Sequence, residues 1–156
     1  MTFEGELHVE APAQEVWNFL LDLEKVAGCV PGLQEARKDN DGGYRLVVKT
    51  RVGFVTATVN LQGRILESHP PKMVKSEFRG ADKKFGSSLT QVNTLELVEL
   101  GPSKTEVRYS SDVAFLGALG MLGGRIMRAK ASEIIKEFNG ALKQRIEATA
   151  QRRRER

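Results

Sequence analysis

Residues 3–32 hold the pattern that most restricts the fold: an alternating strand runs directly into a proline-led helical stretch and then a tight turn. Phe3, Gly5, Leu7 and Val9 fall on one face and Glu4, Glu6, His8 and Glu10 on the other, the two-residue period of a strand with one wet side. Pro12 stands where a helix can begin, because its missing N–H would have had no partner in the first turn. Val16, Trp17, Phe19, Leu20 and Leu23 make the apolar stripe after it. Asp22 and Gly28 divide it into two short helical pieces ahead of the turn at Cys29, Val30, Pro31 and Gly32.

A meander of strands occupies the middle of the chain. Residues 44–52, 54–68, 72–80, 86–100 and 105–115 favour extended structure, with a shorter strand at 34–38. Turn-forming clusters at 41–43, 70–71, 81–84 and 101–103 punctuate these runs, the first of them following the short strand. Short connections imply antiparallel pairing. Val55, Ala57, Val59, Leu61 and Ile65 share a face with Gly53 and Gly63, while Val107, Tyr109, Ser111, Val113 and Phe115 share a face of the last strand. A helix predicted over 119–150 supplies their cover: Met127, Ala131, Ile134, Ile135, Phe138, Leu142 and Ile146 recur at steps of three and four. Lys130, Glu133, Lys136, Glu137, Lys143 and Glu147 fall on its wet side. The expected architecture is α+β of the helix-grip type. A curved antiparallel sheet of about seven strands wraps one long C-terminal helix, with two short helices after the first strand.

A chain of 156 residues has room for one core. The expected domain is 1–150, followed by a basic tail at 151–156. Cys29 is the only cysteine, which excludes an intramolecular disulfide and suits a reducing, cytoplasmic compartment. The N-terminus begins with a strand and shows no signal-peptide pattern. The apolar, uncharged stretch 113–124 is about half the ~20 residues that span a bilayer. The net charge of +4 is uneven, with ten Lys/Arg against four Glu from Arg125 onward. Such an end is a solvated terminus or an attraction to anionic lipid headgroups. Without interleaved aromatics it gives no case for nucleic acid.

Small residues on the facing strand and helix suggest that sheet and helix leave a gap, a dry cavity for an apolar ligand; complete packing is the alternative. The residues expected to line it are Val55, Ala57, Val59, Phe78, Tyr109, Val113, Leu119, Leu122, Met127, Ile134 and Phe138. Tyr109 can offer its hydroxyl to a ligand carbonyl or to a backbone carbonyl. Trp17 reads as core. Little else suggests chemistry. His8 and His69 read as surface residues without local partners, Asp112 and Glu96 fall on outer faces, and no metal-ligand spacing occurs. Gly117, Gly120, Gly123 and Gly124 lack the Gly-x-Gly pair of a dinucleotide turn. Cys29, in an apolar segment, reads as structural.

The segments 11–22 (APAQEVWNFLLD), 30–32 (VPG), 104–109 (KTEVRY) and 116–120 (LGALG), in that order before a long amphipathic helix, resemble the G-subunit family of carbon monoxide dehydrogenase, within the START-like, polyketide-cyclase-like superfamily. Some members end in a membrane-anchoring helix, which is not seen in this sequence. The resemblance implies a protein accompanying carbon monoxide dehydrogenase or a related molybdenum hydroxylase. It further implies peripheral association with the inner face of the cell membrane and a carried quinone, menaquinone or ubiquinone.

Three functions are therefore expected, in order. The first is a non-enzymatic carrier of an apolar ligand that positions quinone for electron transfer. The second is a cyclase- or hydrolase-like enzyme, for which only Tyr109, Ser111 and Arg45 or Lys49 offer polar groups. The third is a ligand-free membrane-recruitment protein. Membrane contact is expected through Leu116, Leu119, Met121 and Leu122, with Arg125 and Arg128 behind them.

Overall fold

The computed structural model describes residues 1–82, 84 and 86–156. Lys83, in the turn expected at 81–84, lies outside them. The chain orders β1 (Thr2–Val9), α1 (Ala13–Leu21), α2 (Leu23–Ala27), β2 (Leu33–Lys38), β3 (Tyr44–Val52), β4 (Val55–His69), β5 (Met73–Asp82), β6 (Ser87–Gly101), β7 (Lys104–Leu116) and α3 (Gly124–Arg154). One seven-stranded antiparallel sheet runs β1-β7-β6-β5-β4-β3-β2, so the meander is closed by β1 pairing with the last strand. This is the expected helix-grip architecture.

The local causes are those read from the sequence. Pro12 directly precedes α1, and the Asp22 carboxylate accepts the Lys25 amide at 3.3 Å to start α2. α3 begins five residues later than expected. Gly117 (φ +85°) and Gly123 (φ +100°) break the chain on either side of a single 3₁₀ turn, Gly120–Leu122. At its other end α3 continues to Arg154, so four residues of the expected tail are helical. Arg152, Arg153 and Arg154 sit in its last turn, where positive charge suits the carbonyl end of a helix.

The main core lies at the C-terminal half of α3. Leu142, Ile146 and Ala150 pack with Val16, Trp17, Phe19 and Leu20 of α1, and with Val9 and Val107. A second cluster lies at the start of α3 and a third beneath α2. Thr105 is fully buried, and its hydroxyl donates to the Ala11 carbonyl at 2.8 Å, tying β7 to the entry of α1.

Candidate functional site

Between the N-terminal half of α3 and the concave face of the sheet, side chains fail to meet. The space is a cavity of about 250 Å³, far more than the ~15 Å³ that admits one water and close to the ~300 Å³ at which small-molecule sites begin. Met127, Ala131, Ile134, Ile135 and Phe138 of α3 roof it, Leu46, Val48, Val59 and Leu61 form one wall, and Leu23, Val26 and Ala27 of α2 close a side. Tyr44 also lines this wall; burial, then the nearby Glu24 and Asp22, push its phenol above the ordinary range.

Two rings on the cavity floor lean away from its centre. Phe78 lies over Gly63 of β4 and Tyr109 over Gly5 of β1, each glycine being the ring's partner in register. A Cβ at Gly63 would come 2.5 Å from Phe78 Cε1. Any side chain there would push the ring back toward the cavity.

The floor between the rings is polar. Gln91 Nε2 donates to Asn93 Oδ1 and to Ser111 Oγ, both at 2.9 Å, and Ser111 Oγ donates to Asn93 Oδ1 at 2.7 Å. Register sets Ser76, Asn93 and Ser111 in one row across β5, β6 and β7, and all line the cavity. Of these the sequence pattern pointed only to Ser111. Leu89, Leu95 and Leu97 carry the signal that was missed: they fix the inward parity of β6, and Gln91 and Asn93 share it. Tyr109 lines the cavity too, and its hydroxyl bonds to no described residue.

The expected lining residues divide into two groups. Val59, Phe78, Tyr109, Val113, Leu119, Met127, Ile134 and Phe138 do face the cavity. Val55, Ala57 and Leu122 do not; they pack with Val52, Leu119 and Met127 in the cluster at the start of α3. Alternation gave β4 its correct face, but that face meets solid packing at the Ala57 end and the void only from Val59 onward. Arg45 and Lys49 are exposed on the outer face, Arg45 pairing with Asp39 at 3.0 Å, so neither enters the cavity. Lys130, assigned to the wet side of the helix, instead lines the cavity 3.7 Å from Glu133 Oε2. Glu147, likewise assigned outward, accepts the Glu10 amide at 2.7 Å.

The expected membrane segment divides in the same way. Leu119 is only 6% exposed and its amide donates to Ser87 Oγ at 2.9 Å, and Leu122 is half-buried. Leu116 (70%) and Met121 (87%) are bare. So is Phe54 (88%), at the β3–β4 tip that packs through Val52 and Val55 against the same loop. Flanked by glycine within a turn, Phe54 lacks any periodic signal. Arg51 and Arg125 are exposed at this end, whereas Arg128 has its guanidinium 5.2 Å from the centre of the Phe3 ring.

Both histidines have partners. His8 Nε2 is 2.9 Å from Glu106 Oε1 across the β1–β7 pair, and His69 Nε2 is 2.6 Å from Glu67 Oε1. Alternation within one strand could not reveal the cross-strand neighbour. Among the described residues Glu6, His8 and Glu106 bring potential metal-ligating atoms within 4.8 Å of one another. Both Glu106 oxygens, however, are already engaged, one by His8 and one by Arg108 at 2.7 Å. Cys29 is buried, and burial pushes its thiol up against a smaller opposing effect of Arg145, which fits a structural role. Among the described residues no helix is long and apolar enough to cross a membrane.

Solved structures share this architecture. A conserved protein from Geobacillus kaustophilus matches with a TM-score of 0.84 at 16% identity, over 94% of this chain and 95% of its own. A START superfamily protein from Mycobacterium smegmatis matches with 0.72 at 18% identity, over 95% and 98%. The Zhui aromatase/cyclase from Streptomyces sp. R1128 matches with 0.63 at 17% identity, over 98% and 94%. At such identities the likeness establishes the fold alone. No curated protein matches the chain. The family model for the carbon monoxide dehydrogenase G subunit (CoxG) matches residues 5–147. With that span covering nearly the whole helix-grip domain, the chain belongs to the CoxG family, the G subunits of carbon monoxide dehydrogenase.

Proposed function

We propose that the chain is a non-enzymatic carrier that holds an apolar ligand, a respiratory quinone such as menaquinone or ubiquinone, and presents it to carbon monoxide dehydrogenase or a related molybdenum hydroxylase. The cavity under the N-terminal half of α3 carries this reading: aliphatic and aromatic side chains dominate its lining, and its volume is close to that of small-molecule sites. The redox chemistry would belong to the ligand and the partner's cofactors, with this chain supplying binding and orientation. The polar floor supports the same view, because amides and hydroxyls orient a ligand but do not exchange protons near neutral pH. Native mass spectrometry of the purified protein followed by lipid extraction tests it. A co-purifying quinone is expected; an empty protein that also refuses added quinone would leave only a recruitment role.

Such a carrier must reach lipid, and the end of the molecule bearing Phe54, Leu116 and Met121 suits that task. Three bare apolar side chains on two adjoining loops, with Arg51 and Arg125 beside them, have the makeup of a shallow, reversible membrane contact on the inner face of the cell membrane. Liposome co-sedimentation checks this. Binding should need anionic lipid, weaken with salt and be lost in a Phe54→Asp, Met121→Asp variant, both positions being too exposed for folding to suffer. Unchanged binding would remove this end from the mechanism.

A further inference from the structure

The polar floor is built for one end of the ligand, and its free hydrogen-bonding groups say which kind. Asn93 Oδ1 already accepts from Gln91 and Ser111, so the Asn93 amide hydrogens are turned away from both. Gln91 spends its amide nitrogen on the same triangle, which leaves its carbonyl oxygen unused. Reversing both amides exchanges their roles but still leaves one NH₂ and one carbonyl unused. The Ser76 and Tyr109 hydroxyls bond to no described residue. None of these four groups is among the fully buried side-chain atoms that lack a hydrogen bond, so none is sealed off, and the residues that carry them all line the cavity.

Polar groups at four inward positions of adjacent strands are costly in an otherwise apolar cavity unless something meets them. This amide and hydroxyl row lies on the β5–β7 side; the opposite wall is mainly aliphatic, Leu46, Val48, Val59 and Leu61 with Leu23, Val26 and Ala27 of α2, and its polar groups are Tyr44 and Thr50 of β3, with Lys130 and Asn139 on the α3 roof. We infer that Asn93, with Ser76, Gln91 and Tyr109 around it, binds a ring carbonyl or hydroxyl of the ligand, so that the oxygenated end rests on β5–β7 and the hydrocarbon body runs toward β3, β4 and α2. Donors and an acceptor stand side by side, so the same floor accommodates a carbonyl that accepts and a hydroxyl that donates. This rests on the carrier reading above and adds which residues meet the ligand's oxygenated end and which way its body runs.

The test compares two probes of nearly equal shape, 2-methyl-1,4-naphthoquinone and 2-methylnaphthalene, by calorimetric titration of the full chain. A merely apolar cavity favours the hydrocarbon, because the quinone loses its hydration on entry. A polar floor that meets the quinone oxygen should reverse the order, favouring the quinone by about tenfold, the worth of one net hydrogen bond. Asn93→Leu should restore preference for the hydrocarbon, and Ser76→Ala, a smaller change at the same row, should narrow the gap in the same direction if Asn93→Leu does not fold. Infrared difference spectra of the bound quinone should show a carbonyl stretch lowered in wild type and returned upward in the variant. Equal binding of both probes, or a quinone preference that survives both substitutions, overturns the assignment while leaving an apolar carrier intact. Binding of neither probe overturns the carrier reading as well.

Discussion

The two halves of α3 carry the same amphipathic pattern and meet opposite surroundings. In the C-terminal half, Leu142 and Ile146 are 1% and 2% exposed, pressed between α1 and the sheet. In the N-terminal half, Met127 and Ala131 are buried in the first turns, but Ile134, Ile135 and Phe138, which repeat the spacing and border the cavity, stay half-buried. The difference lies in what stands opposite: α1 brings Trp17, Phe19 and Leu20 to one half, whereas at the other the rings of Phe78 and Tyr109 lie down over glycines. A helix stripe therefore reports that a face is covered, not that the cover is solid.

The strongest way to break this comparison is to truncate each half. Leu142→Ala opens a hole in close-packed surroundings and should cost about 2–5 kcal/mol. Ile134→Ala removes methyl groups that already border a void, so it should cost under about 1.5 kcal/mol. Urea denaturation of the two variants decides: equal losses would mean that the N-terminal half is packed as tightly as the other. Ala57→Trp belongs with the solid sites, since Ala57 is fully buried in the cluster at the start of α3. Overpacking there should cost about 1–3 kcal/mol, so that substitution reports on stability and not on the cavity.

A second, smaller effect sharpens the role of the glycines. Gly63→Ala places a methyl where the Phe78 ring lies and forces the ring up toward Gln91, its neighbour in register. Affinity for 2-methylnaphthalene should fall by about tenfold, equivalent to about 1.4 kcal/mol. Stability should change by less than about 1 kcal/mol, because alanine suits a strand better than glycine. Binding unchanged in a folded Gly63→Ala variant would mean that the probe sits elsewhere.

Much of the fold was legible because its signals are local. The turn clusters, the strand alternation and the helix stripe each need only a few neighbouring residues, and they located β3–β7 to within one or two residues. Features that depend on cross-strand or end-to-end placement escaped. The parity of β6 could be set from Leu89, Leu95 and Leu97, but only register shows that Ser76, Asn93 and Ser111 form a row. Leu119 and Leu122 belong to an apolar loop whose sequence does not say which side chains turn inward. The partnership of His8 with Glu106 spans 98 positions of chain, beyond any local pattern.

The smallest effect concerns pH, and it tests the outer face behind each half. Glu106, on the convex face of β7 near the solid half, is held below the ordinary glutamate range by hydrogen bonds from His8, then Arg108. Burial pushes Glu77 up, but on the face behind the cavity Arg79 and Arg64 outweigh it and keep its carboxyl low as well. A depressed carboxylate contributes stability that is fully present above its unfolded pKa, near 4.5, and is lost as pH falls through the lower folded value. Urea midpoints should therefore hold steady near neutrality and decline below about pH 4.5, with Glu106→Gln and Glu77→Gln each flattening part of that decline. Both carboxylates lie on the sheet face away from the cavity, so their protonation should lower stability while probe affinity in the still-folded protein stays constant. If affinity falls in step with the titration of Glu77, the two faces of the sheet are coupled at the hollow half, and the contrast between the halves extends through the sheet itself.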